Sequence, residues 1–391
     1  MADPALIFQD DTPDQPGVHA VVIGCGHYRH FPDGAGDLFD TGGEDLEQLS
    51  SPPHSARRIA NWVLDTYHGD PEHPLRSLSL VIAEQPGPAR FHHMLIPDRP
   101  VPDATMDGIR AALHGWRQRG DAHADNLMLF YFCGHGIEAG LQHTLLASDF
   151  GADPFNPFRH AIDFTQLHQG MAKCTARRQV YFLDACRVAS ENLFHGDDKG
   201  DPVFRNDGVL AQQSAPVFRS ALAGKRAWGL TNRPSPFAEA LPRAFRGGAW
   251  RKVGGRWVVC SSLLKLAIQH QIMRVMDEFR NFSSAIEQDN EVTMTLKVPG
   301  PGAKPMVPVD VGCMPGAANR VVRLLVQPMG TNGGQPMPLR EPESEETYLL
   351  DLEAGVYSIS ARFDPPAAFH DTPLDDVIVH PPNGSERIEV T

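Results

Sequence analysis

The chain has few cysteines, no long apolar run and no excess of positive charge, and each absence excludes a class of protein. Six cysteines are spread over 391 residues without a CxxC pair. This argues against a disulfide framework and favours a reducing cytoplasm. No apolar run reaches the roughly 18 residues of a membrane-spanning helix. The N-terminal residues have no basic segment leading into an apolar stretch, so we expect neither a secretory signal nor a membrane association.

Acidic residues outnumber basic ones, which gives a formal net charge of −13. Neutralising the phosphates of a nucleic acid requires basic patches, so we expect no nucleic-acid partner. A 41% hydrophobic fraction is ordinary for a globular protein, and 391 residues allow two or three domains. The pair His92 and His93 has no cysteine or carboxylate at ligand spacing, so we expect no metal site there.

Three regions differ in texture along the chain. Residues 1–16 are acidic and contain several prolines, and we expect them to form a disordered tail. Residues 17–285 alternate short apolar runs with segments whose apolar residues recur at helical spacing. This predicts an α/β domain with a mostly parallel sheet flanked by helices. Residues 290–391 read as β-rich segments between Gly, Pro and Asn turns, which predicts a small all-β, sandwich-like domain.

Within the α/β region, apolar and β-branched runs predict strands, and apolar residues at a spacing of three or four predict helices. The predicted strands are residues 19–23, 78–82, 126–132, 179–183 and 216–221. The helix after the first strand is expected to begin at Ser55 as its N-cap. The next helix includes Met106, with Asp107 in the first turn, where the helix dipole favours an anion.

Two of these strands end in residues that can carry chemistry. One is followed by His135 and Gly136, and the other by Asp184 and Cys186. The carboxyl ends of neighbouring parallel strands meet at one edge of a sheet, where ligands bind. A histidine beside a cysteine there draws the thiol toward the thiolate, which is the competent nucleophile. The backbone N–H groups of Gly136 and Cys186 can together hold an oxyanion.

Each of these residues also has a structural interpretation. A lone buried cysteine is usually a small inert hydrophobe, and a lone histidine before glycine is usually a turn residue. Asp184 can simply cap the loop after its strand. The pair of strand ends is more informative than either residue, because both would open onto the same crevice.

The segments FYFCGHG (130–136) and YFLDACR (181–187) resemble the caspases, metacaspases and paracaspases of peptidase family C14. His135 and Cys186 are 51 residues apart, which agrees with the interval of about 50 in caspases. Around the cysteine the match is partial, since this chain has Asp-Ala-Cys-Arg-Val where caspases have Gln-Ala-Cys and a later glycine. The resemblance covers roughly residues 17–285.

The resemblance implies a cysteine endopeptidase in which His135 is the general base and Cys186 attacks the scissile carbonyl. Gly136 and Cys186 would then form the oxyanion hole. It also implies a protein or peptide substrate, and no cofactor.

The resemblance further implies that Asp184 lies in the S1 pocket and pairs with a basic P1 side chain, the residue before the scissile bond. A pocket carboxylate selects Arg or Lys by charge. Ser220, Ala221 and Trp228 fall in segments that resemble the family's substrate-binding strand and loop. Paracaspase-like members carry a second acid where this chain has residues 227–229 (AWG), and this gap weakens the expected basic preference.

The polar loop at residues 195–208 has three interpretations. Family members are often cut here, and Lys199 and Arg205 suit a trypsin-like enzyme that processes itself. As in metacaspase-like enzymes, acidic residues of the loop can bind calcium. The candidates for calcium are Asp197, Asp198 and Asp201. The third interpretation is a solvated loop without a function of its own.

We therefore expect a cytoplasmic endopeptidase that cuts proteins after Arg or Lys. Its resemblance to bacterial caspase-like proteins suggests a regulated role, such as activating an effector in defence or cell death. The C-terminal β domain would recruit a substrate or a regulatory partner. The alternatives are a catalytically silent scaffold on the same fold, or another thiol chemistry such as acyl transfer.

Overall fold

The structure is a computed structural model that describes most of the 391-residue chain. The described residues are 3–12, 15–40, 46–139, 142–185, 188–189, 200–204, 215–220, 230–275, 286–289, 292–329, 344–365 and 368–391.

Five α-helices and 22 strands are found in these residues. The helices are α1 (Ser51–Tyr67), α2 (Met106–Gly120), α3 (Phe164–Met171), α4 (Pro236–Arg246) and α5 (Ser261–Val275). The strands of the first half are β1 (Leu6–Gln9), β2 (Val18–Cys25), β3 (Leu75–Ala83), β4 (Arg90–His93), β5 (Ile96–Pro100), β6 (Leu127–Gly134), β7 (Gly136–Ala139), β8 (Gln142–Leu146), β9 (Ala161–Asp163), β10 (Arg178–Ala185) and β11 (Val188–Ala189). Those of the second half are β12 (Val217–Arg219), β13 (Trp250–Val253), β14 (Arg256–Cys260), β15 (Glu287–Asp289), β16 (Thr295–Lys297), β17 (Met306–Met314), β18 (Val322–Pro328), β19 (Tyr348–Glu353), β20 (Gly355–Phe363), β21 (Thr372–Val379) and β22 (Gly384–Glu389). None of the described helices is both long enough and apolar enough to cross a membrane.

A seven-stranded sheet organises the first part of the chain, in the order β1-β3-β2-β6-β10-β12-β15. The five inner strands are parallel, and β1 and β15 pair antiparallel at the two edges. Every residue of β2 and β6 is buried, as expected for strands covered by helices on both faces. The predicted mostly parallel α/β sheet is confirmed.

The two faces of the sheet carry different side chains, because successive residues of a strand point to opposite sides. On one face, Trp116 of α2 is fully buried against Phe130, with ring centroids 6.2 Å apart. On the other face, Ser55 of α1 interacts with the Cys133 thiol. The strand ends that carry the candidate site are therefore held from both sides.

The start of α1 corrects one prediction. The helix begins at Ser51, and Ser55 lies buried inside it instead of capping it. Pro52 and Pro53 occupy the first turn, where the missing N–H of proline needs no partner. The expectation for α2 is confirmed, with Asp107 in its first turn and Thr105 as the N-cap.

The expectation of a disordered N-terminal tail differs from the structure. Within residues 1–16, the segment Leu6–Gln9 forms β1 and pairs with β3. Ile7 is buried, and Asp3 forms an ion pair with Arg119. The acidic composition of the segment hides a short apolar run that covers the edge of the sheet.

The described chain divides into two compact units, Met1–Pro242 with Val275–Lys297, and Arg243–Arg274 with Val298–Thr391. This division differs from the expected boundary near residue 285, because α5 belongs to the second unit. Arg274 at the end of α5 donates to the Asp351 carboxylate at 2.6 Å and to the Leu350 carbonyl at 2.9 Å.

Residues 298–391 contain two three-stranded sheets, β19-β17-β22 and β18-β20-β21. Inward-facing residues of both sheets form one hydrophobic core, to which Val309, Val311, Leu324 and Ile359 belong. The predicted all-β, sandwich-like arrangement is confirmed for this part of the chain.

His19 of β2 is a fully buried polar residue within the first unit. Its Nδ1 lies 2.8 Å from Ser77 Oγ, which also accepts a hydrogen bond from Arg119 at 3.0 Å. Burial, together with the charges of Arg119 and Arg76, lowers the pKa of His19 from 6.5 to about 4. The folded protein therefore keeps His19 neutral under mildly acidic conditions.

This buried histidine predicts acid sensitivity of the fold. Between pH 6.5 and 4 the unfolded chain protonates His19 and the folded chain does not, so the free energy of unfolding falls as pH falls, by up to about 3 kcal/mol. The variant His19→Asn keeps a polar group beside Ser77 but does not titrate. In urea unfolding at several pH values, we expect a shallower pH dependence for His19→Asn than for the wild type. The exposed His123→Asn is the control, and equal slopes for wild type and His19→Asn would contradict the prediction.

Candidate active site

The candidate site lies at the carboxyl ends of β6 and β10. The parallel register pairs Cys133 with Asp184 and Gly134 with Ala185. Beyond these ends, β7 and β11 are also parallel, and their register pairs Ile137–Glu138 with Val188–Ala189. All four pairs have an offset of 51 residues. His135 and Cys186 have the same separation in sequence, and described pairs flank both positions.

Cys186 itself lies outside the described residues, as do Ala221, Trp228, Lys199 and Arg205. The oxyanion-hole, substrate-binding and self-processing roles expected for them are therefore untested by the geometry.

The His135 ring is oriented by a backbone carbonyl. Its Nε2 lies 2.7 Å from the Glu47 carbonyl oxygen. A carbonyl only accepts hydrogen bonds, so this contact assigns the proton to Nε2. In the neutral ring, Nδ1 is then the nitrogen that accepts a proton. This is the tautomer that a general base requires.

Two aromatic residues of the loop after β2 pack against His135. The Tyr28 hydroxyl accepts a hydrogen bond from the His135 backbone N–H at 2.8 Å. The ring centroids of Tyr28 and Phe31 lie 4.9 and 5.7 Å from that of the imidazole. His135 is only 7% exposed, so its ring has little freedom to turn away from the Glu47 carbonyl.

Two glycines permit this close packing. A Cβ on Gly134 would lie 2.8 Å from the Tyr28 hydroxyl and 3.0 Å from the Cys25 carbonyl oxygen. A Cβ on Gly26 would lie 2.4 Å from the carbonyl oxygen of Leu49, next to the segment that includes Glu47. The glycines at these positions are therefore explained by the approach of the two loops to His135.

Asp184 is almost completely buried, with 4% exposure. Its Oδ2 accepts hydrogen bonds from the Tyr131 hydroxyl at 2.8 Å and from the Ser235 hydroxyl. Among the described residues, no well-formed hydrogen bond reaches Oδ1. The Ser220 hydroxyl and the Cys133 thiol nevertheless lie close enough to lower the pKa of the carboxyl.

Burial raises the pKa of Asp184 above its ordinary value. Hydrogen bonds from Ser235 and Tyr131 act in the opposite direction, because they stabilise the carboxylate. The balance leaves a buried acid that ionises most readily when a cation is placed beside it.

Ser235 connects this carboxyl to two helices. Its hydroxyl also accepts from Ala238 N at 3.0 Å at the start of α4, and its N–H donates to Ser55 Oγ of α1 at 2.9 Å. Asp184 thus bonds to side chains from neighbouring elements. Among the described residues it makes no contact typical of a cap on its own loop.

Two further predicted residues are described. Gly136 is the first residue of β7 and pairs with Leu145. Ser220 follows β12, and its N–H donates to the Leu183 carbonyl at 2.9 Å, which brings it beside Asp184. Sequence reasoning thus brings His135, Gly136, Asp184 and Ser220 to the same edge of the sheet.

Asp201, one of the calcium candidates, already has protein partners. Its carboxylate accepts from Arg110 at 2.6 Å and from Val203 N at 2.7 Å. Asp197 and Asp198 lie outside the described residues. Within the described part of the chain, no group of three or more His, Cys, Asp and Glu side chains is arranged to hold a metal ion.

The packing at Gly134 predicts a large effect of one methyl group. In Gly134→Ala the new Cβ meets the Tyr28 hydroxyl and a backbone carbonyl, so we expect the free energy of unfolding to fall by about 1–3 kcal/mol. Gly87→Ala is the matched control, since a Cβ there meets only an ordinary contact at 3.4 Å. Urea unfolding of both variants checks the prediction. It would be contradicted by equal stability of Gly134→Ala and the wild type.

Comparisons with known proteins assign the family. The chain is 27% identical over 214 residues to "Uncharacterized protein y4kE" of Sinorhizobium fredii (strain NBRC 101917 / NGR234), which covers 53% of this chain and 62% of the relative. The crystal structure of caspase-1 from Spodoptera frugiperda is 14% identical, covers 73% of this chain and 92% of that one, and has a TM-score of 0.37. The family model for the caspase domain, Peptidase_C14, matches residues 18–269. The chain therefore belongs to the caspase-domain family of C14 peptidases.

Proposed function

We propose that this protein is a cysteine endopeptidase that uses His135 as general base and Cys186 as nucleophile. The observation that carries the proposal is the Nε2–H···O=C hydrogen bond from His135 to Glu47, which leaves Nδ1 as the basic nitrogen. The offset of 51 residues in the pairs that flank His135 and Cys186 supports their meeting at the edge of the sheet.

The remaining cysteines support Cys186 as the reactive thiol. Cys25, Cys133, Cys174, Cys260 and Cys313 are all buried. Burial raises the thiol pKa of four of them, all except Cys260. None of these four thiols is a ready source of thiolate near neutral pH.

The proposed reaction proceeds in two steps. His135 Nδ1 takes the proton of the Cys186 thiol, and the sulfur attacks the scissile carbonyl carbon. The N–H groups of Gly136 and Cys186 hold the oxyanion. The imidazolium then gives its proton to the leaving amine, and water hydrolyses the thioester with His135 again accepting a proton. The Glu47 carbonyl stabilises the imidazolium throughout.

We further propose that Asp184 selects Arg or Lys at P1. Both hydroxyl hydrogen bonds go to Oδ2, so Oδ1 can accept from a substrate cation. A guanidinium or ammonium beside this buried carboxyl would lower its pKa and form a charge-assisted pair. Ser220 contributes a buried hydroxyl next to the same carboxyl. The absence of an acid at residues 227–229 leaves Asp184 to carry the preference alone.

The biological setting belongs to the same proposal. A cytoplasmic location, a role in activating an effector in bacterial defence or cell death, and recruitment of a regulatory partner by the C-terminal sandwich are supported by the sequence resemblance. Self-processing at Lys199 or Arg205 and a calcium requirement are further elements of it.

A panel of fluorogenic peptides that differ only at P1 tests the reaction. We expect cleavage after Arg and Lys, and a loss of about 10⁴-fold or more in Cys186→Ala, because the nucleophile is removed. The panel is run with and without calcium. Cleavage that persists in Cys186→Ala, or an absence of cleavage in every condition, would favour a silent scaffold. A preference for Asp at P1 would contradict the role of Asp184.

A single substitution tests the specificity directly. Asp184→Asn keeps the shape of the side chain but removes its charge, so we expect kcat/KM for Arg and Lys substrates to fall about a hundredfold or more. Asp107→Asn is the control, since Asp107 is exposed in the first turn of α2. The rate of Cys186 alkylation should be nearly unchanged in Asp184→Asn, which separates loss of specificity from loss of the nucleophile. An unchanged Arg preference would contradict the assignment.

A further inference from the structure

The Glu47 carbonyl that orients His135 comes from a segment without regular secondary structure. Residues 46–50 lie between the loop after β2 and the first turn of α1. The Glu47 side chain is exposed, so its position cannot be set by its own packing. One backbone bond fixes the following residue, from Leu49 N to the Gly26 carbonyl at 2.8 Å. The orientation of the Glu47 carbonyl needs a further constraint.

Gln48 supplies that constraint through its side-chain amide. Its Oε1 accepts from Tyr28 N at 2.7 Å. Its Nε2 donates to the carbonyls of Tyr28 at 2.8 Å and of Pro32 at 2.9 Å. One side chain thus satisfies three backbone groups of the loop after β2, which has no sheet or helix bonds of its own at these positions.

The same loop also holds His135, so the bonds close a ring. His135 Nε2 binds the Glu47 carbonyl, Gln48 binds the Tyr28 backbone, and the Tyr28 hydroxyl accepts from the His135 N–H. Both the main chain and the side chain of His135 are therefore tied to one closed set of contacts. Gln48 is the link that joins its two halves.

We propose that Gln48 is the positioning residue for the catalytic imidazole, acting through the Glu47 carbonyl. The inference rests on the proposed function of His135. A primary amide suits this place because it presents one acceptor and two donors at once. A glutamate at the same position would set a carboxylate against the carbonyls of Tyr28 and Pro32, and a methionine would leave all three backbone groups without a partner.

The consequence is electrostatic as well as geometric. A carbonyl held on Nε2 stabilises the imidazolium form of His135, and the imidazolium stabilises the Cys186 thiolate. If the carbonyl drifts away, the imidazolium is less favoured and the apparent pKa of the thiol rises. Loss of Gln48 therefore moves thiolate formation to higher pH.

The test measures the pH dependence of Cys186 alkylation by iodoacetamide, followed by mass spectrometry of the intact full-length chain. The variants are Gln48→Glu and Gln48→Met, with Gln118→Glu on the exposed face of α2 as the control for the same change of charge. We expect the midpoint of the alkylation profile to rise by about half to one pH unit in both Gln48 variants, which corresponds to a rate at the wild-type midpoint lowered about two- to sixfold. Gln118→Glu should match the wild type.

The outcomes separate this inference from the proposed function. A wild-type profile that is the same with and without His135, as in His135→Gln, would overturn the dyad itself. A shifted wild-type profile with unchanged Gln48 variants would overturn only the role of Gln48. Loss of the folded state in both Gln48 variants, seen by near-UV circular dichroism, would also overturn it, because Gln48 would then hold the fold and not the imidazole.

Discussion

One hydrogen bond, from His135 Nε2 to the Glu47 carbonyl, is the constraint on which the candidate site depends. It selects the tautomer in which Nδ1 is basic, and it offers a fixed dipole to the imidazolium that forms when the thiol is deprotonated. The bond forms only because two loops approach the strand ends closely. Gly26 and Gly134 make room for that approach, and Gln48 joins the loops.

The parallel sheet gives this bond its chemical meaning. A constant register between β6 and β10 brings the residues after both strands to one edge. Behind that edge, Asp184 is enclosed by hydroxyls from β6 and from the start of α4. Burial alone would favour the neutral acid, and the hydroxyls together with an incoming cation favour the carboxylate. The site thus combines a fixed base with a specificity group whose charge is completed by its substrate.

Part of this arrangement follows from the sequence. Apolar strands that end in His135 and in Asp184 indicate both the sheet and its functional edge, because parallel strands share their carboxyl ends. The Glu47 carbonyl leaves no such trace, since every residue has one and the contact spans 88 positions. Ser235 is recognisable only as the start of a helix, and its bond to Asp184 depends on tertiary packing. β1 is hidden by its acidic neighbours, and its pairing partner lies about 70 residues away.

The central claim is that His135 and Cys186 form a catalytic pair next to an acidic pocket. Covalent labelling with a peptide acyloxymethyl ketone that carries Arg at P1, followed by mapping of the modified residue, tests it most directly. The account predicts one added label on Cys186, lost in His135→Gln and absent with the matched Asp probe. Labelling of another cysteine, equal labelling in His135→Gln, or equal labelling by the Asp probe would contradict it.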